Sequence, residues 1–139
     1  MLLRLLLYLA GAFTFVLGCV HLALPALLGY RQVLLNQPVT VKPFTLPLSG
    51  YRVQARDLYG IIWVMNHSAS YGLISIGLLD LLGAGWLLSA GGRWLALWIA
   101  GWWLVRSASQ FYLGRRRGDW LIALGFLGLG LIHLAVFLT

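Results

Sequence analysis

The stretch "VLGCVHLALP", residues 16–25, decides the fold because it supports two incompatible readings. Preceded by "MLLRLLLYLAGAFTF", with Arg4 near the start and a long apolar run, it reads as the end of a bacterial lipoprotein signal peptide, with Cys19 lipidated and everything before it removed. It also reads as the second half of a membrane-spanning helix that carries His21. The apolar run continues past Cys19 through "VHLALPALLG" to Gly29, about 25 residues from Leu5, enough to cross a hydrocarbon core of about 30 Å. A signal core is shorter, and Leu17 is bulky for the position two before a lipobox cysteine. Residues 5–29 are therefore expected to form a transmembrane helix.

The rest of the chain extends that reading. Hydrophobic residues make up 61% of the 139 and charged ones only 9%, the balance of an integral membrane protein. Apolar segments at Leu5–Gly29, Asp57–Leu82, Ser89–Gly114 and Asp119–Leu138 are each long enough to span. Backbone satisfaction in lipid then calls for helices, so the expected fold is all-α: a single domain over 1–139, a bundle of four transmembrane helices. Asp57, Ser89 and Asp119 suit the N-caps of helices two, three and four. Between helices one and two, residues 30–56 contain Pro38, Pro43 and Pro47, which exclude a continuous helix; "VTVKPFTLPL" alternates loosely, as an extended connector or a lid would. Cys19 is the single cysteine, which excludes an internal disulfide, and its plain role is that of a small apolar residue.

Charge placement gives an orientation. The net charge is +7, and Arg31, Lys42, Arg52, Arg56, Arg115, Arg116 and Arg117 all fall on one side of a four-span topology, against Arg4 and Arg93 on the other. By the positive-inside rule the 30–56 loop and the "RRRG" turn are cytoplasmic and both termini lie outside. The preference for arginine over lysine fits a GC-rich genome, and the expected location is a bacterial inner membrane. Such a surplus in a membrane protein points to anionic lipid headgroups as partners and not to nucleic acid. A homo-oligomer or a larger membrane complex is compatible with the same composition.

Polar groups inside a span are costly and often mark function. The candidates are His21, Asn66, His67, Arg106, Gln110 and His133. Measured from the cytoplasmic helix ends, His21, His67 and Arg106 lie about 13–15 Å deep, whereas His133 lies about 21 Å deep, nearer the outside. On helix one, Gly11, Thr14, Gly18, His21 and Pro25 form one narrow stripe of mostly small residues. Asn66, His67, Ser70 and Tyr71 cluster on helix two, and Arg106 and Gln110 are one turn apart on helix three, just after Trp102 and Trp103. Arg106 is the strongest signal, because a guanidinium does not escape burial by losing its proton. The acids Asp57, Asp80 and Asp119 all sit at helix ends, with Asp80 on the far side. Arg106 therefore either snorkels and bonds to Gln110, Asn66 or backbone carbonyls, or takes its counter-charge from a ligand.

Three functional readings follow. In the first, a polar site opening to the cytoplasm binds an anionic amphiphile such as a lipid, an isoprenoid phosphate or a quinone-like molecule. Arg106 holds the head, His21 and His67 hydrogen-bond it, Asn66, Ser70, Tyr71 and Gln110 line the site, and the seven basic residues of the loop and turn form the entrance. In the second, His21 and His67 are the axial ligands of a b-type haem in an electron carrier, with Arg106 near a propionate. In the third, the chain is an assembly or scaffold subunit whose polar groups only lock helices together. No HExxH, GxSxG or phosphate-binding loop is present, and no catalytic residue is assigned. "LGCVHLAL" (17–24) and "LGLIHLAV" (129–136) share Leu, Gly, His, Leu and Ala in register, an echo that suits inverted symmetry or coincidence.

Overall fold

The structure, a computed structural model, describes residues 1–32, 54–112 and 118–139, and at positions 55 and 56 the backbone only. Lys42, Arg52, Arg115, Arg116 and Arg117, the side chain of Arg56 and most of the 30–56 connector lie outside the described residues. The described chain is all-helical: α1 (Leu2–Leu27), α2 (Ala55–Leu82), a single turn at Ala84–Leu87, α3 (Arg93–Ser109) running into a 3-10 turn at Gln110–Tyr112, and α4 (Asp119–Leu138). No strand occurs among the described residues. Two helices, α1 and α4, are long and apolar enough to cross a membrane.

The helix starts differ from the sequence expectation for local reasons. Helix α2 begins at Ala55, so Asp57 lies in the first turn and reaches back to accept from the Gln54 N–H at 2.7 Å, the carboxylate half of a capping box. Helix α3 begins at Arg93 rather than near Ser89. Ser89 instead fastens the preceding turn: its hydroxyl donates to the Trp86 carbonyl at 2.6 Å and accepts from the Gly92 N–H at 3.3 Å. Helix α4 begins at Asp119 itself. The cap is Gly118, at φ 101°, a left-handed conformation open to glycine, and Asp119 places its charge in the first turn where the helix dipole favours it.

The chain divides into two compact units. The first joins Met1–Phe15 to Ser75–Thr139. Within it α1 and the end of α2 meet backbone to backbone: a Cβ at Gly77 would lie 2.6 Å from the Phe15 nitrogen, and one at Gly11 only 2.7 Å from Asp80 Cβ. Only glycines at 11 and 77 permit that approach. Helices α3 and α4 pack antiparallel, with Trp103 stacked on Phe126 at 5.3 Å and Trp94 against Phe137 at 5.3 Å. The Ser107 hydroxyl ties them further, donating to the Ala123 carbonyl at 2.8 Å. Ala96, Ile99, Ala100 and Trp103 on α3, and Phe126, Leu129, Gly130 and His133 on α4, are buried at three- and four-residue spacing, the seam along which the two helices pack.

The second unit, Val16–Ile74, pairs the later half of α1 with the earlier part of α2. Gly18 lies against Leu73 and Ile74. Pro25 sits inside α1 and supplies no N–H to the carbonyl four residues back, that of His21. Asn66 Nδ2 donates to that same carbonyl at 3.0 Å. A side chain of α2 thus restores the bond that proline removes.

Candidate functional site

Each unit holds part of the polar set. In the Val16–Ile74 unit, Asn66 binds the His21 carbonyl and Ser70 donates its hydroxyl to the Asn66 carbonyl at 2.7 Å, so two of the expected ligand groups are committed to backbone. The His21 ring is half-buried. His67 lies on the exposed side of α2, its Nδ1 facing the Trp63 carbonyl at 2.9 Å. A carbonyl only accepts, so Nδ1 carries the hydrogen and Nε2 is left as an outward acceptor. Tyr71 is 75% exposed.

Tyr59, Trp63 and His67 repeat every four residues and make one aromatic face: Tyr59 and Trp63 are 6.0 Å apart and stacked, and Trp63 and His67 are 4.8 Å apart. Beside that face the unit has an open groove of about 410 Å³ lined by Pro25, Gly29, Arg31, Tyr59 and Trp63. It combines a cation at its lip with an apolar, aromatic wall. Arg31, an expected entrance residue and the one member of the basic set whose side chain is described, lines this groove.

In the other unit, Arg106 and Gln110 are together as their spacing implies. Arg106 Nη1 donates to Gln110 Oε1 at 3.2 Å, and the guanidinium carbon stands 4.8 Å over the Phe126 ring. These are neutral partners, a carboxamide and a π face, of the kind a half-buried guanidinium can use without a carboxylate.

The same unit contains a pair that sequence reasoning missed. Asp80 and His133 are both wholly buried, and His133 Nε2 lies 3.0 Å from Asp80 Oδ1. His133 Nδ1 faces the Leu129 carbonyl at 2.8 Å. Asp80 Oδ2 and the hydroxyl of buried Thr14 have no hydrogen-bond partner among the described residues. Asp80 does lie near a helix end, since α2 ends at Leu82, but its side chain is wholly buried while that of Leu82 is exposed. Two signals could have revealed it. Asp80 continues the Asn66, Ser70, Leu73, Gly77 stripe at steps of four and three, and from the far helix ends Asp80 and His133 lie within about 5 Å of the same level.

Comparison of the chain with protein families, with curated proteins and with solved structures found no match. Function is therefore inferred from the geometry.

Proposed function

We propose that the chain is a four-helix integral membrane protein of a bacterial inner membrane that binds an anionic amphiphile, with lipids as its natural partners. The outward surface supports the membrane part. On α2 and α3, which are less apolar overall than α1 and α4, the exposed side chains include Val64, Met65, Trp98 and Val105, each more than 60% exposed, while Asn66, Ser70, Asp80 and Gln110 are buried. Apolar outside and polar inside is the distribution that hydrocarbon favours.

The observation that carries the binding reading is the groove at Arg31. Its guanidinium suits a phosphate or carboxylate head through paired N–H donors, and the Tyr59–Trp63 wall suits the neighbouring acyl or isoprenoid chain. By the positive-inside rule this end is cytoplasmic, with both termini on the other side. Arg31 takes the head-group role that burial alone suggests for Arg106, because Arg106 already has Gln110 and Phe126.

Native mass spectrometry of the full-length chain offered phosphatidylglycerol or phosphatidylcholine tests this. The wild type is expected to retain the anionic lipid preferentially. Arg31→Gln should weaken that retention about 10- to 100-fold, the loss of one charge-assisted contact. Arg31→Lys should restore part of it. Equal retention of both lipids, unchanged in Arg31→Gln, would overturn the proposal.

A further inference from the structure

We propose that Asp80 and His133 form a proton-binding site, in which Asp80 Oδ2 takes up one proton while Oδ1 remains bonded to His133 Nε2. Hydrogen-bond chemistry restricts the protons of the resting pair. Nδ1 faces a carbonyl oxygen, so it carries a hydrogen. Nε2 faces Oδ1 at 3.0 Å, so one more proton lies on that axis, either on the nitrogen of an imidazolium or on the oxygen of a neutral carboxyl. Both arrangements hold the same number of protons and leave the pair neutral as a whole. The remaining acceptor is Oδ2, buried and without a partner among the described residues. A further proton goes there: an O–H bond forms on Oδ2 as one breaks in the hydronium that delivers it. The loaded pair carries one positive charge, with Nε2–H still donating to Oδ1.

The position suits exchange with water. Asp80 is two residues from the end of α2 and His133 five from the end of α4, about 3 and 8 Å along the helices. Gly11 lets α1 come directly against Asp80 Cβ, and Thr14, one turn further along the same face, adds a buried hydroxyl. The other charged or titratable side chains at this end are exposed Arg4 and Tyr8 on α1 and half-buried Arg93 at the start of α3. None of them is bonded to Asp80. Arg106, Tyr112 and Asp119 belong to the opposite ends of α3 and α4.

The composition makes the test clean, because the chain has three acidic side chains, all aspartates. In Asp57→Asn/Asp119→Asn protein labelled with ¹³C-aspartate, Asp80 is the sole labelled carboxyl. Infrared spectra of the full-length protein in detergent, with ¹⁵N spectra of the histidine rings, are followed from about pH 2 to pH 9, a range that brackets ordinary carboxyl and imidazole titration. Expected on acidification is the gain of one proton per chain by the pair, read at the labelled carboxyl where the resting pair is carboxylate and imidazolium and at the His133 ring where it is carboxyl and neutral imidazole. In Asp80→Asn any response of the His133 ring should move to a different midpoint. A folded protein in which neither the labelled carboxyl nor the His133 ring changes protonation across the range would overturn the proposal, leaving a permanent clamp between two helices. That outcome is read on protein with the pair intact, so it does not depend on whether Asp80→Asn folds.

Discussion

His67 and His133 begin from one local geometry. Each turns Nδ1 toward the carbonyl four residues back on its own helix, at 2.9 Å for Trp63 and 2.8 Å for Leu129, and each is thereby left with Nε2 pointing away. What Nε2 meets is opposite in the two units. At His67 it points outward from an exposed aromatic face; at His133 it meets a buried carboxylate. Depth along the helix, taken alone, favours His67 for function and passes over His133. An ionisable group in an apolar chain is defined instead by what completes its second hydrogen bond, and that depends on the face of a second helix.

The largest expected effect comes from breaking the buried side. His133→Ala leaves the Asp80 carboxylate buried without its partner, and removing one member of a buried pair costs about 3–5 kcal/mol. Replacing both at once, as Asp80→Leu/His133→Leu, should recover most of that loss, because the desolvated polar groups disappear together. Unfolding of each variant in mixed detergent measures the contrast. A double variant as unstable as the single one would show that shape, not charge, governs this core.

How far these sites were legible follows from the same distinction. Four helical segments could be read from apolar run lengths, and the stripe on α1 from its small residues, because both are properties of one helix. The buried residues on α1 include Gly11, Thr14, Gly18 and Pro25 of that stripe. The pairing of Arg106 with Gln110 was legible too, being a contact one turn along one helix. Asp80 with His133 was not, since the two are 53 positions apart and Asp80 near a helix end resembles an ordinary solvated terminus. The task of Asn66 was half-legible: Pro25 announces an orphaned carbonyl at His21, but which side chain answers it depends on how α1 and α2 align.

That answer gives the intermediate test, in the unit that contains His67. Asn66→Ala should cost about 1–3 kcal/mol, the penalty for a backbone acceptor left unmade in an apolar setting. In a Pro25→Ala background the residue at 25 supplies its own N–H to the His21 carbonyl, and the cost of losing Asn66 should fall well below that. A double-mutant cycle reads this coupling directly. Additive effects would mean that Asn66 serves something other than the carbonyl freed by proline.

The smallest effect should belong to His67, and it isolates the term that separates the two histidines. The Trp63 carbonyl it faces is four residues back and is already the helical acceptor for the main-chain N–H of His67, so removing the imidazole orphans no backbone group. What is lost is one redundant hydrogen bond and a ring contact with Trp63 at 4.8 Å on an exposed face. His67→Ala should therefore change stability by no more than about 0.5 kcal/mol, as surface substitutions usually do. His133 has the same redundancy at Leu129, so the difference between His133→Ala and His67→Ala reports chiefly the Nε2 side, that is, Asp80 and the surrounding burial. A His67→Ala loss approaching that of His133→Ala, measured in the same detergent series, would place His67 in a packed interface and remove the contrast between the two units. A loss confined to lipid retention would instead tie its Nε2 to the ligand bound at the Arg31 groove.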